Sequence, residues 1–103
     1  MNAYLAEAAK TFCSELYSVE KVIEVWPKNQ SAPSPIRLEA MVSHHGDMPT
    51  YEVRAYVRWK PPQPSGGMIG NAWVAYDIPA ILTADSVDAA LRQALSFLWE
   101  RFR

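Results

Sequence analysis

The sequence is poor in the residues that build disulfides, metal sites and phosphate-binding loops. It has one cysteine, Cys13, and two histidines among 103 residues, so an internal disulfide is excluded. Its four glycines lack the spacing of a phosphate-binding loop, and no Lys-Ser or Lys-Thr pair follows them. No zinc-ligand spacing and no Ser/His/Asp arrangement is recognisable. The sequence therefore offers no argument for catalysis and predicts no cofactor.

A strong net charge and long apolar runs are also missing. The formal net charge is −1, so the chain as a whole has no general attraction to nucleic acid or to acidic lipid. The uncharged run at residues 78–84 is far shorter than the roughly 20 apolar residues that span a bilayer. The opening residues, Met-Asn-Ala-Tyr-Leu-Ala-Glu, lack the basic segment of a signal peptide. We therefore expect a cytoplasmic protein with no membrane segment.

What the chain does contain is enough apolar side chain for one core. Hydrophobic residues make up 50% of the sequence and aromatic residues 12%. A chain of 103 residues can bury one core and is too short for two ordinary domains. We expect a single domain over residues 1–103.

The clearest pattern is an alternation of apolar and polar residues over residues 50–60. Because successive side chains of a strand point to opposite faces, this pattern indicates a half-buried antiparallel strand. The apolar, inward row is Tyr51, Val53, Ala55, Val57 and Trp59. The outward row is Glu52, Arg54, Tyr56, Arg58 and Lys60. The outward row thus combines cations, a carboxylate and an aromatic ring, which are groups that a partner molecule can contact.

Residues 36–43 alternate in the same way and predict a neighbouring strand. Pairing Val42 with Tyr51 places both apolar rows on one sheet face and leaves residues 45–48 as a hairpin connection. The inward residues of this strand are Ile36, Leu38, Ala40 and Val42. The outward residues are Arg37, Glu39, Met41 and Ser43.

Two further strands complete the predicted sheet. The β-branched residues of positions 19–26 indicate a first strand, and residues 71–78 indicate a fourth. The first strand is expected to carry on one face Val19, Ile23 and Val25. The core face of the fourth is left open between Trp73 with Ala75 and Val74 with Tyr76. The Pro- and Gly-rich loop at residues 61–70 is long for a domain of this size, and such loops are mobile or functional.

Helical spacing of apolar residues marks both ends of the chain. Residues 3–17 predict an amphipathic helix, with Cys13 bordering its stripe as a small buried hydrophobe. A second helix begins after Asp85 as N-cap, and its stripe is Val87, Leu91, Ala94, Leu95, Leu98 and Phe102. We predict that this helix packs on the sheet through contacts of Leu91, Leu95 and Leu98 with Leu38, Val53 and Val57. Its stripe is wider than one sheet contact needs, so we expect a homodimer or a contact with the first helix.

The predicted fold class is α+β, in the order α-β-β-β-β-α. Short connections favour a four-stranded antiparallel meander with both helices packed on one face. This order resembles that of a double-stranded RNA-binding domain, which runs helix, three strands, helix. Such domains meet phosphates with a lysine cluster at the start of the last helix, where this chain has Asp-Ser-Val-Asp at residues 85–88. The resemblance is therefore one of architecture and assigns no function.

The sheet face that the helices leave uncovered is the predicted functional surface. Its partner-binding residues are predicted to be Arg37, Arg54, Tyr56, Arg58, Trp26 and Trp73. Arginine and aromatic residues are enriched at the centres of protein interfaces, so we expect a small non-enzymatic protein of accessory or inhibitor type. Stacking of single-stranded RNA on the same rings is disfavoured, because Glu39 and Glu52 would repel phosphates. A merely solvated face of paired charges is the plain alternative.

The sequence contains the residues of two other candidate sites. A ligand-binding or enzymatic pocket between sheet and helices would use Tyr4, Tyr17 or Tyr76 with the residues around Asp77. A metal site at the hairpin tip would use His44, His45 and Asp47. Adjacent residues of a strand point to opposite faces, so the two histidines do not converge, and we predict no metal.

Overall fold

A computed structural model describes residues 3–11, 13–44, 48–59, 72–81 and 83–103. Its elements in chain order are α1 (Ala3–Thr11), β1 (Tyr17–Val25), β2 (Ile36–Ser43), β3 (Thr50–Trp59), β4 (Ala72–Tyr76) and α2 (Val87–Phe102). The strands form one antiparallel sheet in the order β1-β2-β3-β4, which confirms the predicted meander. Within the described ranges, neither helix is both long enough and apolar enough to cross a membrane.

The β2–β3 pair has the register that the two alternating patterns predict. Val42 lies opposite Tyr51, and the pairing runs from Ser43 with Thr50 to Ile36 with Val57. The inward residues Leu38, Ala40, Val53 and Ala55 are buried. Alternation specified this register because a slip of one residue would carry the whole apolar row to the other face. Residues 45–47 of the predicted hairpin connection lie outside the described residues, as does the whole loop 61–70.

The facing predicted for β1 is wrong at its first half. The register shifts between Val19, opposite Met41, and Lys21, opposite Ala40, so Glu20 is the extra residue of a β-bulge. The bulge reverses the alternation, and Val19 lies on the face opposite to Ile23 and half exposed. A β-bulge cannot be recognised from the alternation of apolar and polar residues alone.

The open question about β4 is resolved by its pairing with β3. Val74 lies opposite Val57 and Tyr76 lies opposite Ala55, which places both on the core face. Trp73 lies opposite Arg58 and therefore belongs to the other face.

Helix α2 begins one residue later than predicted. Ser86, not Asp85, is the N-cap: its Oγ accepts a hydrogen bond from the Ala89 amide at 3.0 Å. The hydroxyl of the residue directly before the first helical residue reaches the amide of the third helical residue, so a helix beginning at Val87 is capped from Ser86. Asp88 lies in the first turn, where a carboxylate favours the positive end of the helix.

The core lies between α2 and the two central strands. Leu91 and Leu98 are buried there with Leu38 and Val53, as predicted, but Leu95 is 40% exposed. The stripe that meets the sheet is Ala90, Leu91, Ala94 and Leu98. The two alanines allow a close approach of helix and sheet, which turns Leu95 to the side of the contact. The prediction for Leu95 is therefore wrong.

The first helix is shorter than the sequence predicts. It ends at Thr11, whose hydroxyl hydrogen-bonds the Glu7 carbonyl at 2.9 Å, and Tyr17 already belongs to β1. Contact with the sheet begins at Leu16, whose carbonyl accepts a hydrogen bond from the His44 amide at 2.9 Å. In the part of the chain described, α2 alone of the helices packs extensively on the sheet, which corrects the prediction of two covering helices.

Candidate functional site

The face of the sheet opposite α2 brings most of the predicted binding residues together. We call it the arginine face and define it by Arg37, Arg54, Tyr56, Arg58 and Trp73. Arg37 lies opposite Tyr56 across β2 and β3, and Arg58 lies opposite Trp73 across β3 and β4. Strand pairing, and not sequence proximity, therefore assembles this surface from three strands.

Trp73 is the centre of the arginine face. The Cζ atom of Arg58 lies 5.2 Å from the centroid of the Trp73 ring, and that of Arg37 lies 5.7 Å from it. A guanidinium at this distance is attracted to the negative face of the indole. The ring thus holds two long cationic side chains in place before any partner arrives, which lowers the entropy lost on binding.

Arg54 is held by a second set of contacts. Its Cζ lies 5.2 Å from the centroid of the Tyr17 ring, and its Nε lies 3.5 Å from Oε1 of Glu52. Burial lowers the pKa of the Arg54 guanidinium, but the Glu52 carboxylate and a hydrogen bond with Tyr56 outweigh burial and raise that pKa above its usual value. Arg54 is a fixed cation on this surface.

Carboxylates are interleaved with the arginines. Nε of Arg37 lies 3.0 Å from Oε2 of Glu39, two residues along the same strand, and Glu52 is placed likewise beside Arg54. Both pairs run along a strand rather than across the sheet. Among the described residues, a carboxylate therefore lies beside two of the three arginines of this face, which opposes binding of a phosphate backbone.

Two residues of β2 are buried at one end of this face. Met41, predicted to point outward from an uncovered face, is only 3% exposed, and its neighbour Ser43 is buried as well. Both lie at the end of the sheet where Tyr17 pairs with Ser43. Burial at this end is confined to β2 and does not extend to β3, where the Glu52 and Arg54 side chains are 44% and 46% exposed.

Trp26 is the predicted site residue that the structure leaves apart. It follows the last residue of β1 and is 63% exposed. Because Val25 pairs with Ile36, Trp26 lies near the Arg37 end of the sheet. Among the described residues, no ring or cation contact joins Trp26 to the arginine face.

The residues considered for metal binding make other contacts where they are described. Nε2 of His44 lies 2.8 Å from Oγ of Ser18, and its Nδ1 is buried without a hydrogen-bond partner. His45 and Asp47 lie outside the described residues. The rest of the described chain has no cluster of His, Cys, Asp or Glu side chains that would hold a metal ion.

Tyr76 and Asp77 line a cavity whose lining residues belong to β3, β4 and the chain after β4, and not, as predicted, to the sheet and a helix. The cavity that they line has a volume of about 180 Å³. The Tyr76 ring packs 6.4 Å from that of Phe102, and the Arg101 guanidinium lies 5.6 Å from it, so this tyrosine joins α2 to the sheet. Tyr4 is exposed on α1.

A larger groove, about 750 Å³, was missed by sequence reasoning. It lies between α2 and the chain that leaves β1. Its lining residues are Val25, Pro27, Lys28, Asn29, Leu95, Leu98, Trp99, Phe102 and Arg103. The only signal in the sequence was the excess width of the apolar stripe predicted for the last helix, because the opposite wall of the groove comes from a loop that shows no periodicity.

Two surfaces on opposite sides of the sheet thus stand out: the arginine face, and the apolar groove beside α2. Searches of protein-family models, of curated proteins and of solved structures found no match to this chain.

Proposed function

We propose that this chain is a small non-enzymatic protein-binding domain, of accessory or inhibitor type, that acts through the arginine face. The observation that carries the proposal is the Trp73 ring with two arginines held at 5.2 and 5.7 Å on a face that α2 does not cover. Tryptophan, tyrosine and arginine are the residues that most often dominate binding energy at protein interfaces. We further propose that the protein is cytoplasmic and forms a homodimer.

The distribution of charge favours a protein partner over RNA. Glu39 and Glu52 lie within ion-pair distance of Arg37 and Arg54, so a nucleic acid would meet carboxylates between the rings. A partner protein that carries both acidic and basic side chains can pair with the arginines and with the glutamates of this face. Because the two kinds of charge alternate, only one relative position of the two proteins pairs them all.

The alternative function is binding of a small ligand, or an enzymatic activity, in the groove beside α2. Its volume of about 750 Å³ falls in the range of ligand pockets. Such sites usually combine apolar walls with convergent polar groups, whereas the polar residues here are Lys28, Asn29 and Arg103 at one end. We therefore rank this function second.

The test begins with affinity capture of the partner from the native host, identified by mass spectrometry. The captured protein is then titrated against the wild type and against the double variant Tyr56→Ala/Arg58→Ala. We expect binding to weaken by about 2 kcal/mol or more, which corresponds to roughly 30-fold in Kd. The variant should stay folded with little change in melting temperature, because Arg58 is exposed and Tyr56 is half-buried on the face opposite the core.

Two controls sharpen this comparison. Lys10→Ala removes an exposed cation from α1, which contributes no residue to the arginine face, and should bind as the wild type does. Arg58→Lys keeps the charge but loses the planar group that stacks on Trp73, so it should bind with intermediate affinity. Equal affinity of the wild type and the folded double variant would refute the arginine face as the binding surface.

A further inference from the structure

Helix α2 carries a second, outward stripe beside the groove. Its members are Asp88, Arg92, Leu95, Trp99 and Arg103. Spacings of three and four residues place them along one side of a helix. Leu95 is 40% and Trp99 68% exposed, although both are large apolar side chains. We call this set the α2 stripe.

The α2 stripe lies beside β1, which is the edge strand of the sheet and is only partly covered by α2. Helix α2 packs on β2 and β3, so Ile23 and Val25 of β1 flank the stripe and line the two cavities that run along it. An apolar surface formed by a helix side and a strand beside it has the shape that receives another helix.

We propose that the α2 stripe binds the α2 helix of a second copy of this chain, antiparallel, about a twofold axis near Leu95 and Ser96. The inference rests on the proposed self-association and is independent of the arginine face. A twofold interface uses the same patch on both subunits, so the stripe must complement itself when it is reversed.

Reversing the stripe about this axis pairs complementary groups. Leu95 meets Ser96 of the second copy, where the small side chain lets the two helices approach. Arg92 meets Trp99 of the second copy, which allows a cation–π contact of the kind already present at Trp73. The helix dipoles run in opposite directions, which is the favourable arrangement.

The charges at the two ends of α2 also match. Glu20 and Asp88 line one cavity at its start together with Lys21, and Asp85 precedes the helix, while Lys28 and Arg103 line the groove at its end. Antiparallel pairing brings Asp88 to Arg103 of the second copy. Within one chain, Asp88 lies 3.3 Å from Lys21 and Arg103 lies 3.3 Å from Glu100. Both ion pairs are exposed to solvent and therefore weak, so Asp88 and Arg103 can also interact with a second copy.

The edges of the sheet are poorer dimer surfaces. The β1 edge is interrupted by its bulge and carries Glu20, Lys21 and Glu24, which are devices that oppose strand pairing. The β4 edge is only 5 residues long. The surface of α2 is therefore a better binding surface for a second copy than either sheet edge.

Sedimentation of the full chain at micromolar concentration tests the association. We expect the wild type to be a dimer and Leu95→Arg, which places a charge at the axis, to dimerise at least about tenfold more weakly. Arg58→Ala, on the opposite side of the sheet, should dimerise as the wild type does. Asp88→Arg and Arg103→Asp should each weaken the dimer, and the two changes together should restore it.

Cysteine cross-linking tests the orientation. In a Cys13→Ser background, Ser96→Cys lies at the proposed axis and should form an intersubunit disulfide readily on oxidation. Arg92→Cys should not, because antiparallel pairing separates the two copies of position 92. In a parallel pair both positions would meet their own copies, so equal cross-linking of the two variants would overturn the proposed orientation.

The outcomes separate this inference from the proposed function. A monomeric wild type at micromolar concentration would overturn the dimer while leaving partner binding by the arginine face intact. A Leu95→Arg variant that is folded and still as dimeric as the wild type would overturn the α2 stripe as the interface.

Discussion

Ser86 and Asp85 show how one hydrogen bond decides where a helix begins. Both residue types are good N-caps, and the sequence alone favoured the carboxylate. In the structure the Ser86 hydroxyl accepts from the Ala89 amide at 3.0 Å, an amide that has no partner within the helix. Asp85 is exposed and contributes to α2 only through its charge near the positive end.

Replacing the capping residue therefore tests the helix start directly. We expect Ser86→Ala to lower the free energy of unfolding by about 1 kcal/mol, because the Ala89 amide loses its partner. Asp85→Ala should cost less, a few tenths of a kcal/mol. Urea unfolding followed by far-ultraviolet circular dichroism measures both changes. If Asp85→Ala lowered the free energy of unfolding more than Ser86→Ala, Asp85 and not Ser86 would be the N-cap.

At the scale of elements, Leu95 and Leu98 separate the two sides of α2. They are three residues apart, yet Leu98 is 4% exposed within the core and Leu95 is 40% exposed beside the groove. We expect Leu98→Ala to lower the free energy of unfolding by roughly 2 to 5 kcal/mol through lost burial and a cavity. Leu95→Ala should cost under about 1 kcal/mol, since much of its surface is already in water.

The comparison needs a protein concentration at which the chain is monomeric, so that dimer contacts of Leu95 do not contribute. Urea denaturation with a shared baseline gives both values. Equal losses from the two substitutions would mean that α2 is rotated about its axis relative to the packing described.

Alternation and helical spacing predicted most elements and the β2–β3 register, because each pattern reports one buried face. For this reason the sequence predicted a shared sheet face for Arg37, Arg54, Tyr56 and Arg58. The face on which Trp73 lies became clear only from the pairing of β4 with β3. The bulge at Glu20 could not be predicted, since it depends on which residues of β2 lie opposite. The groove beside α2 could not be predicted either, because one of its walls is a loop.

At the scale of the whole molecule, the sheet separates two surfaces with different chemistry. The arginine face is polar and alternates in charge, whereas the groove beside α2 is apolar. A dimer formed through α2 would leave both arginine faces uncovered, so one assembly would present two binding sites. Bivalent binding of a multivalent partner would then gain from effective concentration without any new contact.

The layering of the fold also predicts how stability is distributed over the molecule. Strand β2 is central in the sheet and is paired on both sides, and Leu38 and Ala40 are covered by α2. Strand β1 is an edge with a bulge, and α1 shares no extensive contact with another element in the described ranges. We therefore expect amides of β2 to exchange with solvent most slowly, only on global unfolding, and those of α1 to exchange fastest among the helices. Native-state hydrogen exchange measures this order, with α2 as the internal reference. Protection of α1 equal to that of α2 would show that the first helix is held by contacts as extensive as those of the second.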